Sequence, residues 1–314
     1  MGASGTRDFL PPDRIRADHF GLEGTRLPYA KFPRDPEGFE RITPVVLPAI
    51  SPFSIAPAEL TNISLRLKVG IGEKVMIGGF IISGSEPKRV VVRALGPALL
   101  GAGISDALVN PVLELNDSAG NSLAHNNSWR DAQQDQLIAT GLAPAHDSEA
   151  AIVQTLQPGA YTATVNGADD GTGVGLLELY DGDASADSRL ANISSRGFVG
   201  SGSDVMIAGF IVSGSAGQAR LIVRGLGPSL SDRGVAEPLF DPLLEVRDVN
   251  GTLITANDNW RETQETEIAS TSLAPQTDLE ATSMISAAPG AYTATLRGND
   301  GAAGIGLLEI YKLD

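Results

Sequence analysis

Oxygen-bearing side chains recur at alternate positions in Asp181-Gly-Asp183-Ala-Ser185-Ala-Asp187, the spacing with which the first half of an EF-hand loop presents ligands to calcium. The segment departs from that loop where Ala186 replaces the turn glycine and Asn192 the closing glutamate. Asp181, Asp183, Ser185 and Asp187 are therefore expected to form either a partial Ca2+ clip between two neighbouring units or a plain acidic linker. Paired carboxylates form a second pattern, Asp147 with Glu149 and Asp278 with Glu280, each just before an apolar run. Acid/base catalysis would need one of each pair held protonated in a cleft; the alternative is a turn cap. Arg93 and Arg224 each end an apolar run and precede Leu-Gly-Pro. A buried arginine needs an acid, and Glu114 and Glu245 recur at matching positions, so structural ion pairs Arg93 with Glu114 and Arg224 with Glu245 are expected.

These patterns come in twos because the chain is duplicated. Val75-Met-Ile-Gly-Gly-Phe-Ile returns as Val205-Met-Ile-Ala-Gly-Phe-Ile, and Pro158-Gly-Ala-Tyr-Thr-Ala-Thr as Pro289-Gly-Ala-Tyr-Thr-Ala-Thr. The offset is 130 residues up to about Arg89 and 131 beyond it, which is a duplicated domain and not a solenoid unit. Three segments follow: an arm at 1–59, a first copy at 60–183 and a second at 184–314. The duplication also tests the candidate chemistry. Of the three histidines, His19 lies in the arm, while His125 and His146 face Ala256 and Thr277 in the other copy, so a Ser-His-Asp site common to both is excluded. Trp129 and Trp260 do recur and could stack on a polysaccharide, but their place at a helix start and an aromatic content of 5% favour core packing. The expectation is a protein without catalytic residues.

Each copy reads as short strands punctuated by Gly, Pro, Asn and Asp. In the first they are expected at 63–67, 74–82, 89–94, 112–116, 122–125, 151–155, 161–166 and 174–180. Tyr161, Ala163 and Val165 alternate with Thr162 and Thr164, the pattern of a strand with one buried face. Asp117-Ser-Ala-Gly120 and Asp248-Val-Asn-Gly251 suit tight turns, and Pro158-Gly159 and Pro289-Gly290 suit type II turns. Eight strands in such a length imply an all-β sandwich in each copy. One short helix per copy is expected after Ser128 and Asn259, whose spacing to Asp131 and Glu262 is that of a capping box, with Gly141 closing the first.

The arm differs in kind. It holds nine of the 19 prolines, which forbid a helix of normal length and leave extended or polyproline backbone. Its second half is apolar, with Ile42, Val45, Val46, Leu47, Ile50, Phe53 and Ile55 set between Pro44, Pro48, Pro52 and Pro57. A free linker would be more polar, so these residues are expected to dock on a protein surface.

Bulk properties narrow the partners. The net charge is -15, and the arm contributes almost none of it, with seven basic against eight acidic residues. Two acidic domains argue against nucleic acid and anionic membranes and are compatible with cations. Without cysteine there is no disulfide or thiolate metal site. No apolar run reaches the roughly 18 residues of a membrane span, and Met1 to Thr6 lacks the charged and apolar regions of a signal peptide.

Val112-Leu-Glu-Leu, Asp117-Ser-Ala-Gly-Asn-Ser-Leu-Ala-His-Asn-Asn, Pro158-Gly-Ala-Tyr-Thr-Ala-Thr-Val-Asn-Gly and Gly173-Val-Gly-Leu-Leu-Glu-Leu-Tyr180 together resemble the bacterial pre-peptidase C-terminal domain. The second copy matches through Pro242 to Asn257 and Pro289 to Tyr311. Residues 60–314 as a whole are similar to a module found in tandem in secreted and surface proteins of environmental bacteria. The resemblance implies two tandem jelly-roll-like β-sandwich domains, an extracellular or cell-surface setting, calcium or matrix binding in some relatives, and no catalysis. The function expected is a structural protein whose arm docks on a neighbouring subunit to build a filament or other homopolymer. The alternative is a secreted pair of binding modules for polysaccharide or calcium-dependent adhesion.

Overall fold

The computed structural model describes residues 58–183, 186–215 and 217–313. The docking residues expected in the arm, from Ile42 to Ile55, and Ser185 of the acidic junction lie outside them.

The first copy forms β1 (Glu59–Val69), β2 (Met76–Gly84), β3 (Lys88–Leu95), β4 (Pro111–Asp117), β5 (Ser122–Asn126), β6 (Ala150–Leu156), β7 (Gly159–Gly167) and β8 (Gly173–Asp181). The second forms β9 (Ser188–Val199), β10 (Met206–Ser213), β11 (Ala219–Leu226), β12 (Pro242–Asp248), β13 (Leu253–Asn257), β14 (Ala281–Ala287), β15 (Gly290–Gly298) and β16 (Gly304–Leu313). All eight strands expected in the first copy are present. Along β7, Ala163 and Val165 are buried while the threonines between them are not, as alternation requires.

The turns follow their residues. Gly120 takes φ 81° and Gly251 φ 78°, and in the first turn Asp117 Oδ1 accepts the amides of Ala119 and Asn121, both at 2.9 Å. Pro158-Gly159 corrects the expectation of a type II turn, because Gly159 is extended at φ 159° and opens β7 directly. The helices are shorter than expected. α1 (Gln134–Thr140) and α2 (Glu265–Ala269) start six residues beyond Ser128 and Asn259, which instead head a turn in which Asp131 N donates to Ser128 O. Gly141 closes α1 in the left-handed conformation, φ 72°.

Each copy is a four-on-four sandwich, β1-β8-β3-β6 against β2-β7-β4-β5 in the first, but neither sheet stops at the copy boundary. One sheet runs β13-β12-β15-β10-β1-β8-β3-β6 and the other β14-β11-β16-β9-β2-β7-β4-β5. Exchanging the copies converts one order into the other read backwards, so the duplication is a pseudo-twofold that swaps the sheets. β1 pairs with β10 and β9 with β2, both antiparallel. The four strands that would be open edges of isolated copies, β1 and β2 of the first and β9 and β10 of the second, thereby satisfy one another's backbone groups in two pairs. One buried cluster, containing both Leu60 and Ile310, crosses the boundary without a break.

The crossing is symmetric in detail. Ser64 lies opposite Gly209, and Gly79 opposite Ser194. A Cβ on Gly79 would stand 2.5 Å from Ser194 Oγ, and one on Gly209 would stand 2.6 Å from Ser64 Oγ, so a side chain at either glycine would displace the serine of the other copy. At the surface, Lys68 of β1 bridges Asp106 at 3.3 Å and Asp204 of the other copy at 3.0 Å.

Candidate functional site

The polar groups common to both copies were the first candidates for chemistry, and their contacts are internal. Arg93, on β3, directs Nε and Nη2 to Glu178 Oε2 and donates from Nη1 to Leu142 O at 2.8 Å and from Nη2 to the Tyr180 hydroxyl at 3.1 Å. Tyr180 in turn donates to Glu178 Oε1 at 2.9 Å. Arg224 likewise meets Glu309 at 3.3 Å. The expected partners are thus corrected. β3 lies beside β8, which carries Glu178, whereas Glu114 sits on β4 in the opposite sheet. Glu245 binds Arg247 at 3.1 Å and Arg297 at 3.5 Å on its own sheet.

Tyr311, the counterpart of Tyr180, donates to Glu309 at 3.0 Å. Burial, and then the Glu309 charge, push its hydroxyl up to about 12. An unfolded tyrosine ionises near about 10, so above that pH the unfolded chain releases a proton that the folded chain keeps. The stability that this group contributes is complete below about pH 10 and is lost as the pH rises through about 12. Urea unfolding across this window is expected to show falling stability, with a shallower fall in Tyr311→Phe. Part of the slope persists in that variant, because Tyr161, Tyr180 and Tyr292 are raised too.

The paired carboxylates divide their roles. Asp147 is exposed and meets Arg130, whose guanidinium lies 4.2 Å from the Trp129 ring. Glu149 is 0% exposed and accepts the amides of Gly96 at 3.2 Å, Ala98 at 2.9 Å and His146 at 3.3 Å. It therefore caps the 3-10 turn Pro97–Ala102, which follows β3, from the start of the neighbouring strand β6 of the same sheet. Gly96 is required there because a Cβ would overlap the Leu108 carbonyl oxygen. Glu280 accepts the amides of Gly227 at 3.3 Å and Ser229 at 3.1 Å in the same way, without the third amide, and Gly227 stands where Gly96 does. Trp129 and Trp260, 3% and 2% exposed, donate through Nε1 to the carbonyls of His146 and Thr277 and cannot stack on a sugar in this conformation.

At the junction, Lys88 takes the place expected for a cation. It is 1% exposed, and its Nζ lies 2.7 Å from Asp181 Oδ2 and 2.8 Å from Asp183 O. Asp187 turns instead to Ser85, which donates to its carboxylate at 3.3 Å. Among the described residues no group of three or more His, Cys, Asp or Glu is placed to hold a metal ion. Lys88 was missed because it looks like any surface lysine; its one signal is that the other copy has Ala219 there.

The outer edges of the sheets form the arrangement with the clearest functional consequence. β6 is blocked by side-chain amides that imitate a neighbouring strand. Asn126 Oδ1 accepts Ala151 N at 3.0 Å, and Gln133 accepts Val153 N at 2.9 Å while donating to Val153 O at 2.6 Å. In the second copy Asn257 caps Thr282 N at 2.8 Å, and Gln264 binds Met284 N at 2.9 Å and O at 3.0 Å, which blocks β14. Asn126 and Asn257 thus satisfy backbone groups of the edge strands. By contrast, β5 and β13 have no outer partner strand among the described residues. Among the described residues each end of the sandwich therefore has one blocked and one open edge. The open edge at β13 is apolar, with Leu253 and Ile254 exposed and Val249 exposed in the turn before it. The sequence signal for the blocked edges was available in the recurrence of Gln133 as Gln264, 131 residues on.

No helix among the described residues is long and apolar enough to cross a membrane. No family model and no curated protein matches the chain. Among solved structures it is similar to the isomalto-dextranase of Arthrobacter globiformis T6 complexed with panose, at 12% identity and a TM-score of 0.21. The match covers 78% of this chain and 36% of that one, and a likeness so distant carries no argument about activity.

Proposed function

We propose that the protein is a non-enzymatic structural protein of the extracellular or cell-surface space that assembles by docking its Pro-rich arm on the open edge of a neighbouring copy. The observation that carries the reading is the unequal treatment of the edges, blocked at β6 and β14 and open at β5 and β13. An open apolar edge offers unpaired N–H and C=O groups to an extended segment, and β-augmentation satisfies them.

The arm matches that edge in length as well as in polarity. Pro44, Pro48 and Pro52 leave donor-bearing windows of three residues, such as Val45 to Leu47, between residues that cannot donate. An antiparallel edge presents outward groups at every other residue, so the five residues of β13 ask for only two or three paired positions. Docking of one copy's arm on another copy's edge is heterologous, and it closes into a ring or continues as a filament. The resemblance to tandem modules of secreted and surface proteins supports the setting.

In sedimentation velocity the full chain is expected to run as assemblies. Leu253→Lys with Ile254→Lys on the edge, and separately Val46→Asp with Ile50→Asp in the arm, are each expected to return it to monomer. A full chain that is monomeric throughout, or assemblies indifferent to both pairs, would sink the reading.

A further inference from the structure

The two copies diverge most pointedly around Arg224. Beside it lies a pocket of about 380 Å3, within the roughly 300–1,000 Å3 range of small-molecule sites. Its lining includes Ser229, Arg233, Ser272 and Gln276, where the first copy has Ala98, Ala102, Gly141 and Ala145. All four differences add a polar group to one pocket. None is needed for the fold, since the first copy forms the same strands without them.

The central arginine changes state with its surroundings. Arg93 of the first copy spends its donors on Glu178, Leu142 O and Tyr180. Arg224 keeps only the Nη1 contact with Glu309 at 3.3 Å, and its Nε is buried without a partner. Glu280 Oε2 is also buried without a partner, whereas Glu149 Oε2 accepts the His146 amide. Arg233 has no ionic partner among the described residues. A buried unpaired donor and a buried unpaired acceptor are each costly, and since both atoms are closed to solvent a ligand relieves them by drawing the Arg224 and Glu280 side chains toward the pocket.

We infer that the second copy alone binds a small hydroxylated carboxylate, a uronic acid being the example from sugar chemistry. Arg224 and Arg233 take the carboxylate, for which guanidinium groups have matching geometry. Ser229, Ser272 and Gln276 suit hydroxyl groups, and Glu280 accepts an O–H. A phosphate dianion fits worse because Glu280 and Glu309 line the same pocket. A neutral sugar would leave the two arginines without an anion. The inference is independent of arm docking, since it concerns neither an edge strand nor the arm.

Calorimetric titration of the full chain with D-glucuronate tests it. Saturable binding at one site per chain is expected. The fourfold variant Ser229→Ala, Arg233→Ala, Ser272→Gly, Gln276→Ala, which restores the lining of the first copy, is expected to bind at least about tenfold more weakly with an unchanged circular dichroism spectrum. Should that variant unfold, Gln276→Ala and Arg233→Ala singly, both on exposed positions, must each weaken binding. Glucose, inorganic phosphate and alanine are each expected to bind at least about tenfold more weakly than glucuronate. Equal affinity for any of the three, two sites per chain, undiminished binding by the variants, or no saturation by about 10 mM, weaker than the usual range for a specific small-molecule site, would overturn the inference.

Discussion

Lys88→Met is expected to lower the free energy of unfolding by about 3–5 kcal/mol, the loss typical of a buried pair with one partner removed. The ammonium is 1% exposed and holds Asp181 Oδ2 at 2.7 Å and Asp183 O at 2.8 Å. Methionine fills most of the volume of the stem, so the loss reports mainly the carboxylate left behind, whose side chain is 12% exposed. The second copy shows that the position does not need the pair, because Ala219 and Lys312 occupy the equivalent places. A double variant, Lys88→Met with Asp181→Leu, is therefore expected to recover most of the loss, as apolar replacement of a buried ion pair often does. Urea denaturation of the parent, both single variants and the double gives the coupling energy. A Lys88→Met protein as stable as the parent would mean that water or another group already compensates Asp181.

Glu149→Ala is expected to cost a similar amount, about 3–5 kcal/mol, for a different reason: three amides lose their acceptor at once. An unsatisfied buried donor costs about 1–3 kcal/mol, and the total stays below three times that because part of the turn is reached by water. Glu149→Gln keeps one carbonyl oxygen for the amides of Gly96 and Ala98, at 3.2 and 2.9 Å in the parent, and is expected to lose less than half as much. Were Glu149 a catalytic acid without a capping role, alanine and glutamine would both remove the transferable proton and would not differ in stability. The graded loss, read by thermal and urea unfolding, separates a cap from an acid. Glu280→Ala is expected to behave alike in the second copy, and the two losses are expected to add, since the caps have no shared partner.

The strands were legible because their cause is local. Alternation such as Ala163 and Val165 against Thr162 and Thr164 needs only neighbouring residues, and the turn at Asp117 to Gly120 is held by an Asp side chain bonding two residues ahead. The helix start was misplaced for a reason that is not local. Trp129 N is taken by Glu149 O at 2.9 Å, and Asn126 reaches across to Ala151, so the residues after Ser128 close over β6 before any helix begins. The partner of Arg93 escaped for the same kind of reason. Glu114 and Glu178 are equally acidic and both recur in the second copy, and only the sheet order puts Glu178 on the adjacent strand.

Sequence alone determined the duplication, the eight strands in each copy, the tight turns, the exclusion of a shared histidine site and the contrast between the apolar arm and the acidic copies. Each rests on residue type and short spacing, which act through φ/ψ preference and period-two burial. Tertiary structure decided that the sheets run through both copies, that Lys88 occupies the acidic junction, that β6 and β14 are sealed while β5 and β13 have no outer partner among the described residues, and that Arg224 keeps an unmatched donor beside a polar pocket. Those depend on which strands become neighbours, as where Glu59 meets Ser213, and a backbone edge carries no residue-specific mark of the strand that will satisfy it.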